Sequence, residues 1–93
     1  MSQIPIDLGK ISKENIDKEI LRAGIIAELD AINLYEQMAE LTDSQDLKDI
    51  LLDIAREEKT HVGEFQTLLL RLDKQQVEEL EAGREEVEEE LGK

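Results

Sequence analysis

The chain has 93 residues, a formal net charge of −13, 40% hydrophobic residues, 2% aromatics and no cysteine. That length allows one small domain, whose core is marginal unless copies assemble. Disulfides, thiolate metal sites and cysteine catalysis are excluded, and the negative charge disfavours nucleic acid and anionic lipid while attracting cations, metal ions included.

Ala, Leu, Ile, Glu and Lys dominate, as in an all-helical protein. Lack of cysteine fits a reducing cytoplasm. The N-terminus shows no basic stretch followed by an apolar core, so no signal peptide is expected. No apolar run is long enough to span a bilayer, so no membrane is expected either.

Residues 1–12 read as extended, because Pro5 in Ile4-Pro5-Ile6 pushes Ile4 out of the helical region. Ser12 suits the N-cap of a first helix over 13–41, which holds a single Gly and no Pro. Thr42-Asp43-Ser44 is a polar trio suited to a turn and to capping a second helix. That second helix is predicted over 45–72. Asp73 with Gln76 three residues on reads as a capping box for a third helix over 74–90, with Gly83 the expected point of interruption. Two long helices joined by so short a turn fold back as an antiparallel hairpin. The third helix carries Val77, Leu80, Val87 and Leu91 on one side with Arg84 among them, a stripe suited to a neighbouring chain. Its Glu-rich run from Glu78 to Glu90 reads as a solvated face; drawing cations towards a site is the alternative.

In steps of four and three, the second helix gives Leu47, Leu51, Ile54, Glu58, His61, Phe65, Leu68 and Leu72. This is an unbroken heptad stripe whose two central members are a carboxylate and an imidazole. The first helix gives Leu21, Gly24, Glu28, Ala31, Tyr35 and Met38, again interrupted by one carboxylate. Ile20, Ile25, Ile26, Leu29 and Ile32 carry apolar surface well beyond that stripe. A helix apolar over so much of its circumference is buried on several sides, which a hairpin cannot do alone, so oligomerisation is implied.

Glu28 lies fifteen residues before Asp43 and Glu58 fifteen after it. At about 1.5 Å rise per residue both sit roughly 22 Å from the turn, on one level of an antiparallel pair. His61 is one turn beyond Glu58 on the same face. A lone E-x-x-H in a Glu-rich chain means little, and a buried Glu paired with a buried His is one reading. Isolated ionised groups in a core cost several kcal/mol, however, and three at one level call for a shared reason. A cation supplies it: carboxylates and imidazole suit iron, manganese and zinc. One hairpin offers two carboxylates and one imidazole, too few for a dinuclear site. Two hairpins about a two-fold axis offer four Glu and two His, the ligand set of ferritin-like di-iron bundles. The expected fold class is therefore all-α, an antiparallel two-helix hairpin plus a short C-terminal helix, dimerising into a ferritin-like four-helix bundle. Tyr35, an aromatic in a helix stripe, reads as core packing; Glu57 and Glu64, off the stripe, read as solvent-facing or inter-subunit charges.

Glu28, Tyr35 seven residues later and Ala55-Arg56-Glu57-Glu58-Lys59-Thr60-His61 resemble the ferritin-like superfamily. The stretch from Ile25 to Leu72 is similar to the encapsulated ferritins, half-ferritin chains found inside or fused to encapsulin shells. The segment from Ala27 to Ala39 is especially similar to archaeal shell-fused members. The resemblance implies a ferroxidase centre at a two-fold interface, with Glu58 bridging two irons from both chains, Glu28 and His61 as terminal ligands and Tyr35 beside them. It further implies dimers assembled into a ring, typically a decamer, within an encapsulin nanocompartment in the cytoplasm, oxidising Fe(II) with O2 or peroxide and passing Fe(III) to the shell interior. Ala27 and Leu34 stand where many members have an acid and a Trp, so an accessory iron-access site built on those does not transfer; Asp30 is the nearest substitute. No shell-targeting peptide is seen after Glu90, as expected of a domain cut from a shell fusion. The alternatives are a rubrerythrin-like peroxidase, a manganese catalase, or a non-catalytic helical adaptor of a shell. Lack of cysteine counts against rubredoxin-type electron transfer within this chain.

Overall fold

The computed structural model describes residues 15–93. The expected extended segment, the Ser12 cap and the first two residues of the helix predicted from 13 lie outside them. The described chain forms three helices: α1 (Ile16–Leu41), α2 (Gln45–Leu72) and α3 (Lys74–Leu91). Among the described residues there is no strand, and the all-α hairpin with a shorter third helix is the observed architecture.

Local chemistry sets the breaks. Thr42 turns extended, and its N–H closes α1 on the Met38 carbonyl at 3.3 Å. Thr42 Oγ1 accepts from the Ser44 N–H (3.1 Å), and Ser44 Oγ accepts from the Leu47 N–H (3.2 Å). The polar trio thus ends one helix and caps the next, satisfying N–H groups that would otherwise lack partners.

A single residue, Asp73, joins α2 to α3, and every polar group it has is occupied. Its N–H donates to Leu69 O at 2.9 Å and its carbonyl accepts from Val77 N–H at 3.3 Å. Oδ1 accepts from the Gln76 N–H at 3.0 Å, and Oδ2 accepts from Arg22 Nη2 at 2.8 Å. The capping box forms only in its forward half, because the N–H that a Gln76 side chain would reach is spent closing α2. The Gln76 N–H and then the Arg22 guanidinium hold the Asp73 carboxyl below the usual carboxylate range, against the opposing effect of burial.

Gly83 does not interrupt α3, which is continuous across it. One helical Gly costs roughly 1 kcal/mol relative to Ala. Here the Asp73 cap and the Arg84 bridges to Glu81 and Glu88, the latter at 2.6 Å, outweigh it. The molecule measures 46 × 44 × 19 Å, so α3 swings out from the hairpin rather than lying along it. No residue of α3 is buried.

The hairpin seam is Leu21, Ile32 and Ala39 of α1 against Leu51, Ala55 and Leu69 of α2. The stripe counted along α2 is therefore two seams sharing Leu51, Glu58 and Phe65. One, with Ala55, Val62 and Leu69, closes onto α1. The other, with Leu47, Ile54, His61, Leu68 and Leu72, runs along its flank, and all of these but Ile54 are exposed. On α1 the flank seam is Ile20, Ala27, Ala31, Leu34 and Met38, of which Ile20 and Leu34 are exposed. At 3.6 residues per turn both flank seams lie on one side of the hairpin, and Ile20, Leu21, Leu68 and Leu72 line one cleft there. On the opposite side Lys59 Nζ meets Glu36 at 3.2 Å. No large side chain among the described residues is fully buried, as expected of a small, open hairpin.

One close approach marks the interior of the hairpin. A Cβ on Gly24 would lie 3.1 Å from Phe65 Cε2 and 3.2 Å from Cδ2 and Cζ. The mid-helix Gly costs α1 roughly 1 kcal/mol, and it lets the ring lie directly on the α1 backbone.

Candidate metal centre

The level count is realised in three dimensions. Glu28 comes from the middle of α1, Glu58 and His61 from the middle of α2, and one ligand atom from each lies within 4.8 Å of the others. His61 Nδ1 is 3.2 Å from Glu58 Oε2 and 3.5 Å from Glu28 Oε2. The carboxylates are largely covered, with side-chain exposures of 20% for Glu28 and 18% for Glu58, whereas the imidazole is 47% exposed. The exposed edge has its origin in the seams: Glu58 stands where both meet, and His61 belongs to the flank seam.

Glu28 Oε2 is out of contact with solvent and accepts no hydrogen bond. A buried acceptor on a carboxylate without a donor carries a desolvation penalty of about 1–3 kcal/mol or more. Two carboxylates and one imidazole offer negative charge, oxygen and nitrogen lone pairs and little competing donor capacity. That donor set fits a divalent or trivalent cation of the iron, manganese or zinc kind.

The cavity beside these groups is about 250 Å³ and is lined by Glu28, His61, Glu64 and Phe65. Glu64 is exposed, yet it shares this cavity. The heptad count leaves it off the stripe; its place three residues from His61, on the flank that carries the site, is the signal that could have found it. Tyr35 is half-buried on α1, seven residues from Glu28, and does not line the cavity. Glu57 is exposed.

The family model described as Rubrerythrin matches residues 19–91. The ferritin-like-encapsulin shell fusion protein of Pyrococcus furiosus is 65% identical over 74 residues, 80% of this chain and 21% of that protein. An encapsulin nanocompartment cargo protein of Myxococcus xanthus is 46% identical over 56 residues, 60% of this chain and 43% of that protein. The chain thus matches about a fifth and under a half of the length of these two relatives. Among solved structures, the encapsulated ferritin domain from Pyrococcus furiosus superposes with a TM-score of 0.85 at 54% identity, covering 100% of this chain and 95% of that one.

Proposed function

The chain belongs to the rubrerythrin family, in the ferritin-like group that includes the encapsulated ferritins, and from that premise we propose that two copies form a ferroxidase site for a pair of Fe(II) ions. The flank seams of two hairpins close on each other, so that two Glu28, two Glu58 and two His61 converge. On the family pattern Glu58 of both copies would be shared between the ions, Glu28 and His61 would complete the donor set of each, and Tyr35, outside the cavity of the single chain, would be a neighbour of the completed site. This arrangement puts the exposed edge of His61 inside a four-helix bundle.

Iron is the substrate here. Each Fe(II) gives up one electron, so a pair supplies the two electrons that reduce O2 to peroxide or peroxide to water. The chain's own part is to hold two cations close with carboxylates that stabilise the increase in charge. The flank seam and the packed bundle then limit water at the site.

The observation that carries this reading is Glu28 Oε2, a buried carboxylate oxygen with no donor, 3.5 Å from the imidazole that pairs with Glu58. Support for further assembly comes from the exposed Val77, Leu80, Val87 and Leu91 of α3. We place the dimers in a ring, a decamer on the family pattern, within an encapsulin shell in the cytoplasm, where Fe(III) passes to the interior for storage as mineral. Among the described residues no helix is long and apolar enough to cross a membrane.

Fe(II) added under air to the purified protein should develop ferric absorbance that Glu58→Ala and His61→Ala abolish. Rates unchanged in both variants would refute the proposal. Metal analysis of protein purified without chelator separates the alternatives: about one iron per chain supports the ferroxidase, manganese a catalase, and no metal an adaptor. A rubrerythrin-like peroxidase would bind iron as well, and faster turnover with peroxide than with O2 marks it.

A further inference from the structure

Phe65 is one helical turn beyond His61 on α2, and Gly24 is one turn before Glu28 on α1. In an antiparallel hairpin these two positions form the layer next to the ligand layer, on the side away from the turn. The Phe65 ring also lines the same 250 Å³ cavity as Glu28 and His61. Helix separations of 8–10 Å are set by the side chains at the contact. At this layer the α1 contribution is bare backbone and the α2 contribution is a rigid ring.

We infer that the Gly24–Phe65 contact is a positioning element for the metal ligands: it fixes how closely α1 and α2 stand beside Glu28, Glu58 and His61 and closes one end of their cavity. This rests on the metal-centre reading and adds which residues set its geometry. A methyl at Gly24 meets three ring atoms at 3.1–3.2 Å, where ordinary carbon contacts are about 3.5–4.0 Å. The ring or α1 must therefore give by a few tenths of an ångström, a large share of the roughly 0.5 Å within which a ligand set keeps its geometry. Relief is available from the other partner, because a narrower side chain at 65 makes room for the methyl.

The test is Co(II) titration of the full chain, read by its visible absorption bands, which report both the dissociation constant and the coordination geometry. Wild type should bind, and Glu58→Ala should abolish the bands. Gly24→Ala should bind about tenfold more weakly, with altered bands, in the range expected when residues supporting a ligand shell are changed. Phe65→Leu, which removes the ring half of the contact, should also weaken binding, about threefold and with altered bands, and Gly24→Ala/Phe65→Leu should bind as Phe65→Leu does, because the methyl costs nothing once the ring is gone. Equal affinity and identical bands for Gly24→Ala and wild type would overturn the positioning role while leaving the metal centre standing. Failure of wild type to bind overturns both. Should Gly24→Ala alone not fold, the double variant is compared with Phe65→Leu: equal affinity supports the inference, and a tenfold deficit in the double variant overturns it.

Discussion

Replacing Glu28 by Gln separates a metal ligand from a structural ion pair, because the two roles give opposite signs in the metal-free protein. Glu28 and Glu58 offer ligand atoms within 4.8 Å of each other. Two like charges at that distance repel by roughly 3.5 kcal/mol at an effective dielectric of about 20. Leaving Glu28 Oε2 buried without a donor adds about 1–3 kcal/mol. The polar edge of the His61 imidazole at 3.5 Å offsets part of this. Removing the charge while keeping the shape should therefore stabilise the metal-free protein by about 1–3 kcal/mol. In a domain of this size that raises Tm by roughly 5–15 °C. With Co(II) or Zn(II) at a hundred times the dissociation constant, wild type gains about 2.7 kcal/mol by mass action, and the variant, short of a ligand, gains less. Thermal melts followed by circular dichroism, with chelator and with metal, should show the advantage of Glu28→Gln shrink or reverse once metal is added. A variant less stable than wild type in chelator would refute the reasoning, since Glu28 would then be stabilising the fold as a partner of His61.

Leu68→Glu, on the flank seam, should release subunits and weaken metal binding together, whereas Lys59→Ala, on the opposite side, should leave both unchanged; sedimentation velocity and Co(II) titration read the two effects. If metal links the two halves, chelator alone should lower the sedimentation coefficient of wild type, and an unchanged value would mean that the apolar seams suffice. For Asp73 the folded carboxyl is held below its usual range, so its contribution is complete above about pH 4 and is lost as pH falls through the lowered folded value. Asp73→Asn should lower Tm at neutral pH by several degrees and flatten the acid limb of a helicity titration; an acid limb identical to wild type would remove Asp73 from the account. Gly83→Ala has open space around the added methyl and should stabilise α3 by about 0.5–1 kcal/mol in denaturant melts.

The level that Glu28 and Glu58 share is legible in the sequence because it needs only a count. Fifteen residues on either side of Asp43 put Glu28 and Glu58 opposite each other whatever the packing. The helix breaks are legible for a similar reason, since Thr42, Ser44 and Asp73 carry short side chains that bond to nearby backbone N–H groups. The division of the α2 stripe into two seams is not. A strict seven-residue repeat drifts by about 20° per heptad on a straight helix, so one apolar band serves two neighbours, and apolarity alone does not say which lies within the chain. In the sequence Gly24 is one more small member of a stripe; only the position of the Phe65 ring reveals why a Cβ does not fit there.

On the proposed assembly, the position of Glu58 on both seams explains how a hairpin can be complete as a fold and incomplete as a site. A carboxylate confined to the inner seam would be satisfied, or left buried, within one hairpin. One confined to the flank would be solvated in the monomer and indifferent to a partner. Glu58 sits between: largely covered by its own chain, it pairs with His61, whose other edge faces outwards. In the proposed dimer the two-fold axis passes at this level, so that a second hairpin on that flank would bring its own Glu58 beside the first. Two such carboxylates repel strongly in a covered site unless cations stand between them. On the proposed assembly, then, apolar burial draws the flanks together and the ligands hold them apart until metal binds, so metal occupancy and dimer stability are linked in both directions.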